Sequence, residues 1–300
     1  MTSTPSPLLF CFGLGYSALA FARALQDRGW QVAGTCRSPE KQAALARLGI
    51  AAQLFDRTRP LVDPAGAFGR AVAILSAVPP DERGDPVLDG HGADLARAGD
   101  ARWVGYLSTT GVYGDRQGDW VDESSALSPT GERGRRRVAA EQGWLALHRA
   151  AGLPVHVFRL AGIYGPGRNA LRSLREGTAR RVIKPGQVFS RIHRDDIVGV
   201  LRASLARPDP GAVYNVCDDD PAAPDEVVAH AASLLGVAPP PSVPLADAQL
   251  SPMGRSFFDD NKRVANRRIK EELGVVLRYP DYRSGLAALL AAGEGGSAGA

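Results

Sequence analysis

Short apolar runs without polar alternation recur along the first half of the chain, at 8–12 (LLFCF), 31–36 (QVAGTC), 51–55 (AAQLF), 71–78 (AVAILSAV), 102–109 (RWVGYLST) and 154–162 (PVHVFRLAG). Between them lie stretches with helical spacing, at 16–29, 38–49, 86–99 and 135–152. Strands that stay apolar on both faces belong in a parallel sheet covered by helices on both sides. The alternation therefore predicts an α/β fold, a doubly wound parallel (Rossmann) sheet. From about Tyr164 the pattern loosens: Gly and Pro interrupt it, and helices expected over 224–236 and 261–274 have no regular strand partner. This predicts a smaller C-terminal α+β substrate lobe. The expected division is 1–165 for the Rossmann domain, with 190–217 returning to it, and 166–189 plus 218–292 for the lobe. Within the lobe, 237–245 (VAPPPSVPL) reads as a stiff connector, and 293–300 (GEGGSAGA) as a disordered tail.

Composition narrows the class. Hydrophobic residues make up 44% of 300, enough to bury a sizeable core, and the formal charge is only +4. The arginines are spread along the chain, so nucleic-acid binding is not expected. Cys11, Cys36 and Cys217 are odd in number and lack metal-ligand spacing, which suits a reducing cytoplasm, and no metal site is expected. Their simplest role is as small buried hydrophobes. The opening MTSTPSP has no basic region and the apolar run behind it breaks at Gly13, so neither a signal peptide nor a membrane span is expected.

Gly13, Gly15 and Ala18 form G-x-G-x-x-A between the first expected strand and the first expected helix. Gly13 permits the tight turn, Gly15 lets a pyrophosphate approach the backbone, and the small Ala18 allows close helix packing; Leu14, Tyr16 and Ser17 complete the turn. The N–H groups at the helix start then face the phosphates. Where an NAD-binding chain would carry a carboxylate after the second strand, this one has Arg37 and Ser38, in GTCRSPEK. A guanidinium can grip a 2′-phosphate with paired hydrogen bonds, so NADP is expected over NAD.

The ordered segments YLSTTGVYGD (106–115), VDESSALSPTGERGRRRVAAEQ (121–142), FRLAGIYGPGRN (158–169), SRIHRDDIVGVL (190–201) and YPDYRSGL (279–286) carry a resemblance. The chain resembles the extended and atypical short-chain dehydrogenase/reductase superfamily, in its NAD-dependent epimerase/dehydratase group, from the first turn to about Leu290. The short G-x-G-x-x-A spacing departs from the G-x-x-G-x-x-G of extended members and is similar to atypical ones. The resemblance implies that Asp56 contacts the adenine amine, that Ala77 and Val78 lie along the cofactor, and that Thr109 polarises a substrate oxygen. It also implies a Tyr-x-x-x-Lys pair for proton transfer. Aligned through Glu141, the tyrosine position holds Arg133 and the lysine position Arg137. None of the seven tyrosines has a lysine four residues later, and the only lysines are Lys41, Lys184, Lys262 and Lys270. Arginine stays protonated near neutrality, which makes it a poor acid or base but a good anion holder.

Tyr113, His193 and Arg133 are the candidates to fill the gap: Tyr113 as a replacement phenol, His193 as a group facing substrate, Arg133 as an anion binder. Arg137 retains a role against the cofactor ribose, and Lys184 and Arg191 are candidate contacts to an anionic substrate. The Asp-Glu pair of sugar 4,6-dehydratases is replaced by Thr110 and Gly111, which argues against that reaction. The expected function is an atypical NADP-dependent oxidoreductase or epimerase acting on a small anionic or nucleotide-sugar-like substrate. Its competitor is a regulator or redox sensor that kept the cofactor and lost turnover. The resemblance also allows a homodimer.

Overall fold

Leu8–Phe12 form β1, with all positions buried, and in the computed structural model, which describes residues 6–294, the expected alternation follows. After β1 come α1 (Tyr16–Gln26), β2 (Gln31–Cys36), α2 (Pro39–Ala46), β3 (Ala51–Leu54), α3 (Pro64–Phe68), β4 (Ala73–Ser76), α4 (Pro86–Leu95) and β5 (Trp103–Thr109). A 3-10 turn over Thr110–Tyr113 leads to β6 (Trp120–Val121), α5 (Glu132–Ala151), β7 (Val155–Leu160), β8 (Gly162–Tyr164), α6 (Ala170–Arg175), β9 (Arg181–Ile183), β10 (Arg191–His193), α7 (Arg194–Ala206) and β11 (Val213–Val216). The remainder is α8 (Pro224–Leu234), β12 (Ser242–Pro244), α9 (Pro252–Ser256), β13 (Arg263–Val264), α10 (Arg267–Glu271) and α11 (Tyr282–Ala291). Among the described residues no helix is long and apolar enough to cross a membrane.

The chain divides into two compact units: residues through Thr109 with Arg135–Arg159 and Val198–Tyr214, and Thr110–Gly134 with Leu160–Ile197 and the residues from Asn215 on. The first is organised by a seven-stranded sheet in the order β11-β7-β5-β4-β1-β2-β3. β1 pairs in parallel with β2 and β4, so the order reverses beside β1. Open α/β sheets bind ligands at such a reversal, outside the carboxyl ends of the strands. The core beneath is aromatic: Phe10, Phe12 and Phe68 meet edge-on or tilted at 5.0–5.5 Å, and Tyr106 stacks on Trp144 at 5.6 Å. Each such buried ring contributes about 1.5–3 kcal/mol by leaving water. The three cysteines are free and buried.

The second unit has no large sheet of its own. Parallel two-stranded pairs, β8–β10, β9–β12 and β6–β13, are joined by short helices. Its main core gathers Leu171 of α6, Ala231 of α8 and Tyr282, Leu286 and Leu289 of α11 around Tyr164.

Three expectations change here. The helix expected over 261–274 is a short strand followed by α10. Arg263–Val264 pair with Trp120–Val121, Val264 is buried, and the Lys262 Nζ donates to the Gly114 carbonyl, so pairing and burial override the helical spacing. Part of the connector expected over 237–245 pairs as β12 with β9, an edge position where Pro244 is tolerated. Of the tail expected over 293–300, residues 295–300 lie outside the described residues, while Glu294 accepts hydrogen bonds from the Gly167 N–H at 2.6 Å and the Asn169 Nδ2 at 3.1 Å. Order therefore runs past 292.

Candidate functional site

The turn after β1 is built around a positive φ. Gly13 sits at φ +82°, and a Cβ there would lie 3.1 Å from Val78 Cγ2. Its N–H donates to Thr35 Oγ1 at 2.8 Å, and the Leu14 N–H donates to the Thr35 carbonyl at 2.9 Å. Thr35 on β2 thus clasps the turn from its neighbouring strand. Gly15 takes extended backbone at the start of α1, with no side-chain cap and no acidic residue in the first turn. A Cβ at Gly15 would meet no atom within 4 Å. The 11-residue helix therefore starts without a side-chain cap and carries its positive end at this turn, while Ser17 and Ala18 are buried behind it. That arrangement fits the pyrophosphate of a dinucleotide.

Around the turn, Arg37 is exposed directly after β2, and Ser38 caps α2 by accepting the Lys41 N–H at 3.3 Å. The Ser38 hydroxyl thus already has structural employment. After β3, the Asp56 carboxylate accepts from the Thr58 Oγ1 and N–H at 2.6 and 2.9 Å and pairs with Arg59 at 3.1 Å. These contacts, the Thr58 hydroxyl foremost, hold its pKa below the usual range. Ala77 and Val78 follow β4 and are half-buried, with the Ala77 N–H on the Phe12 carbonyl at 2.9 Å.

Thr109 closes β5 and is half-buried. Arg137, on α5, reaches the same strand: its Nη1 donates to the Leu107 carbonyl at 2.6 Å and the Tyr106 hydroxyl at 3.0 Å. The guanidinium is thus anchored within two residues of Thr109. Beside it lies a network that the motifs did not disclose. Ser108 donates to Glu141 Oε1 at 2.5 Å, and Arg159 Nη2 pairs with Glu141 Oε2 at 2.8 Å, with all three side chains buried. The available signal was a lone acid one turn before Trp144 on the buried face of α5.

The other candidates fall in the second unit. Tyr113 is fully buried, and its hydroxyl donates to Asn215 Oδ1 at 2.7 Å, a placement that speaks for packing. Arg133 is exposed, 5.9 Å over the ring of Phe257. The Lys184 Nζ donates to the Phe258 carbonyl at 2.5 Å. His193 is built into the core: its Nδ1 accepts the Asp195 N–H at 3.1 Å, and its ring lies 4.1 Å from that of Tyr279. Burial pushes its pKa down to about 4. Arg191 turns its Nη1 onto the Phe189 and Ala222 carbonyls at 2.8 and 2.9 Å.

Residues 93–217 match the NAD dependent epimerase/dehydratase family. Protein YeeZ of Escherichia coli K12 is 31% identical over 90% of this chain and 95% of its own length. The 3-diazoavenalumate denitrifying reductase of a Streptomyces species is 29% identical over 83% of this chain and 73% of its own. Among solved structures, a functionally unknown conserved protein from Silicibacter pomeroyi is 53% identical, covers 96% of this chain and 100% of its own, and superposes with a TM-score of 0.87. The dTDP-glucose 4,6-dehydratase of Bacillus anthracis, solved in complex with NAD, shares the fold at 17% identity, with a TM-score of 0.76 over 98% of each chain.

Proposed function

The chain belongs to the NAD dependent epimerase/dehydratase family, and from that premise we propose that it is an NADP-dependent oxidoreductase that reduces a small anionic electrophile without a phenolic proton relay. The observation that carries the cofactor choice is the end of β2, where the exposed Arg37 stands and residues 31–39 include no carboxylate. In this reading the uncapped start of α1 holds the pyrophosphate and Arg37 grips the 2′-phosphate. Arg137, anchored on β5, contacts the nicotinamide ribose, and Thr109 donates a hydrogen bond to the substrate oxygen. When bound, the cofactor supplies hydride.

Proton supply decides the reaction class. By the resemblance, Arg133 and Arg137 stand where the family carries its tyrosine and lysine, and arginine as a residue type is a poor proton donor. Reductions that draw their proton from water, or need none, therefore suit these residues best. Replacing a diazonium group by hydride is such a reaction: R–N2⁺ and H⁻ give R–H and N2, with no proton required. The Streptomyces relative, whose name describes a denitrifying reduction of a diazo compound, supports this direction.

Calorimetry with NADPH and NADH tests the cofactor choice. NADPH is expected to bind about tenfold tighter or better, the scale of a charge-assisted pair, with Arg37→Ala closing most of the gap. Equal affinities in the unaltered protein would refute it. Consumption of NADPH in the presence of electrophilic aryl acids tests the reaction. Tight NADPH binding with no turnover of any such acid would instead favour the regulator.

A further inference from the structure

Within the second unit, a cavity of about 250 Å³ opens among α6, α8, α11 and the β8–β10 pair. Its chemistry is one-sided. Arg191, Arg168 and Tyr282 line it and bring only donors that matter here. Arg191 is held by its Nη1 contacts to two carbonyls, and its Nε and Nη2 have no acceptor among the described residues. Tyr282 is only 2% exposed, yet its hydroxyl bonds to no group among the described residues; its ring is held by His230 at 5.7 Å and by the Arg283 guanidinium at 4.4 Å. Arg168 is exposed, and its side chain makes no hydrogen bond among the described residues. The side chains of Asn169 and Ser173, which also line the space, are already engaged at the start of α6. Opposite in character are Ile163, Val227 and Leu286, which supply apolar wall.

The nearest acid does not neutralise this end. Asp218 acts on Arg191 electrostatically, but among the described residues its carboxyl makes no side-chain hydrogen bond, and the residue is 1% exposed. Burial pushes its pKa up to about 8, so at neutral pH it is mostly uncharged and leaves the guanidinium charge uncancelled.

We infer that this cavity is a binding site for a small organic acid with an apolar body. The head must accept hydrogen bonds and carry negative charge, and a planar carboxylate matches two guanidinium N–H groups. The body must be small. A cavity of about 150 Å³ takes up benzene, so the volume here accommodates one ring or a branched chain plus its carboxylate, and no larger ligand. The site draws only on residues of the second unit and does not depend on the nucleotide reading.

The probe is benzoate, titrated into the full chain without nucleotide and followed by calorimetry and ligand-observed NMR. Benzyl alcohol keeps the ring without the charge, and acetate keeps the charge without the ring. Benzoate is expected to saturate a single site, with both controls weaker by about tenfold or more. Arg191→Gln is expected to weaken benzoate by about tenfold and Tyr282→Phe by about threefold. Both variants are checked for an unchanged fold by circular dichroism, and should Arg191→Gln fail to fold, Tyr282→Phe decides. Equal binding of benzyl alcohol would reduce the site to an apolar hole. Undiminished benzoate binding in the variants, or no binding at all, would overturn the proposal. None of these outcomes bears on NADPH, which is absent.

Discussion

In the first unit, Glu141 lies in the core with Ser108 on one oxygen and Arg159 across both, and Asp85 nearby accepts from the Trp144 indole at 2.9 Å while capping α4. In the second, Asp218 and the His193 Nε2 are just as deep and, among the described residues, meet no side-chain partner. Glu141 and Asp218 are thus treated in opposite ways, although each unit also holds the other case: Ser76 Oγ lacks a partner in the first, and in the second the Asp196 carboxylate accepts from the Arg278 and Tyr279 N–H groups at 2.7 and 3.1 Å. Strands held in register by a large sheet aim Ser108 and Arg159 at the Glu141 carboxylate. Completed networks rigidify, whereas incomplete ones await water, protons or a ligand.

This contrast can be broken at its strongest point first. Glu141→Ala removes one side of a buried pair and strands Arg159, so urea unfolding is expected to show a loss of about 3–5 kcal/mol. A loss below about 1 kcal/mol, the level of a surface pair, would mean that the network is not the support it looks like. Next comes Asp218. Its folded pKa, about 8, lies above the unfolded value near 3.9, so the folded state keeps a proton that the unfolded chain releases between them. Stability therefore falls as pH rises through that window, and Asp218→Asn removes that slope. Relative to the unaltered protein, the variant is expected to gain about 2 kcal/mol between pH 6 and pH 8, read from unfolding midpoints at both. An identical pH profile would show that the Asp218 carboxyl is ionised in the folded protein throughout that window. The smallest effect on stability belongs to the turn. Gly13→Ala forces a Cβ into the left-handed region beside Val78 and is expected to cost about 1–2 kcal/mol. Calorimetry should nevertheless find NADPH binding abolished. Retained binding would move the nucleotide away from this turn.

The same division separates what the chain discloses from what it conceals. β1, β2 and α1 were readable to within a few residues because a fully covered strand is apolar throughout and a glycine turn has its own signature. β6 and β13 have two residues each, too few for a period, and the spacing of 261–274 therefore read as helix. The candidate site divides similarly. Gly13, Gly15 and Ala18 announce themselves within six positions, but Thr35, which clasps the turn, is 22 residues from Gly13, and Ser108 is 33 from Glu141. Charge alone also misleads about depth: nothing in SRIHRDD distinguishes His193, packed between tyrosine rings, from the neighbouring Arg194.

Glu294 fastens more than a chain end. Through Gly167 and Asn169 it grips the loop and cap from which α6 starts, and α6 forms one wall of the cavity. Loss of the Glu294 carboxylate therefore releases that wall. A shortened chain that keeps Glu294 and one that stops a residue earlier differ by one carboxylate, yet only the first retains the fastening.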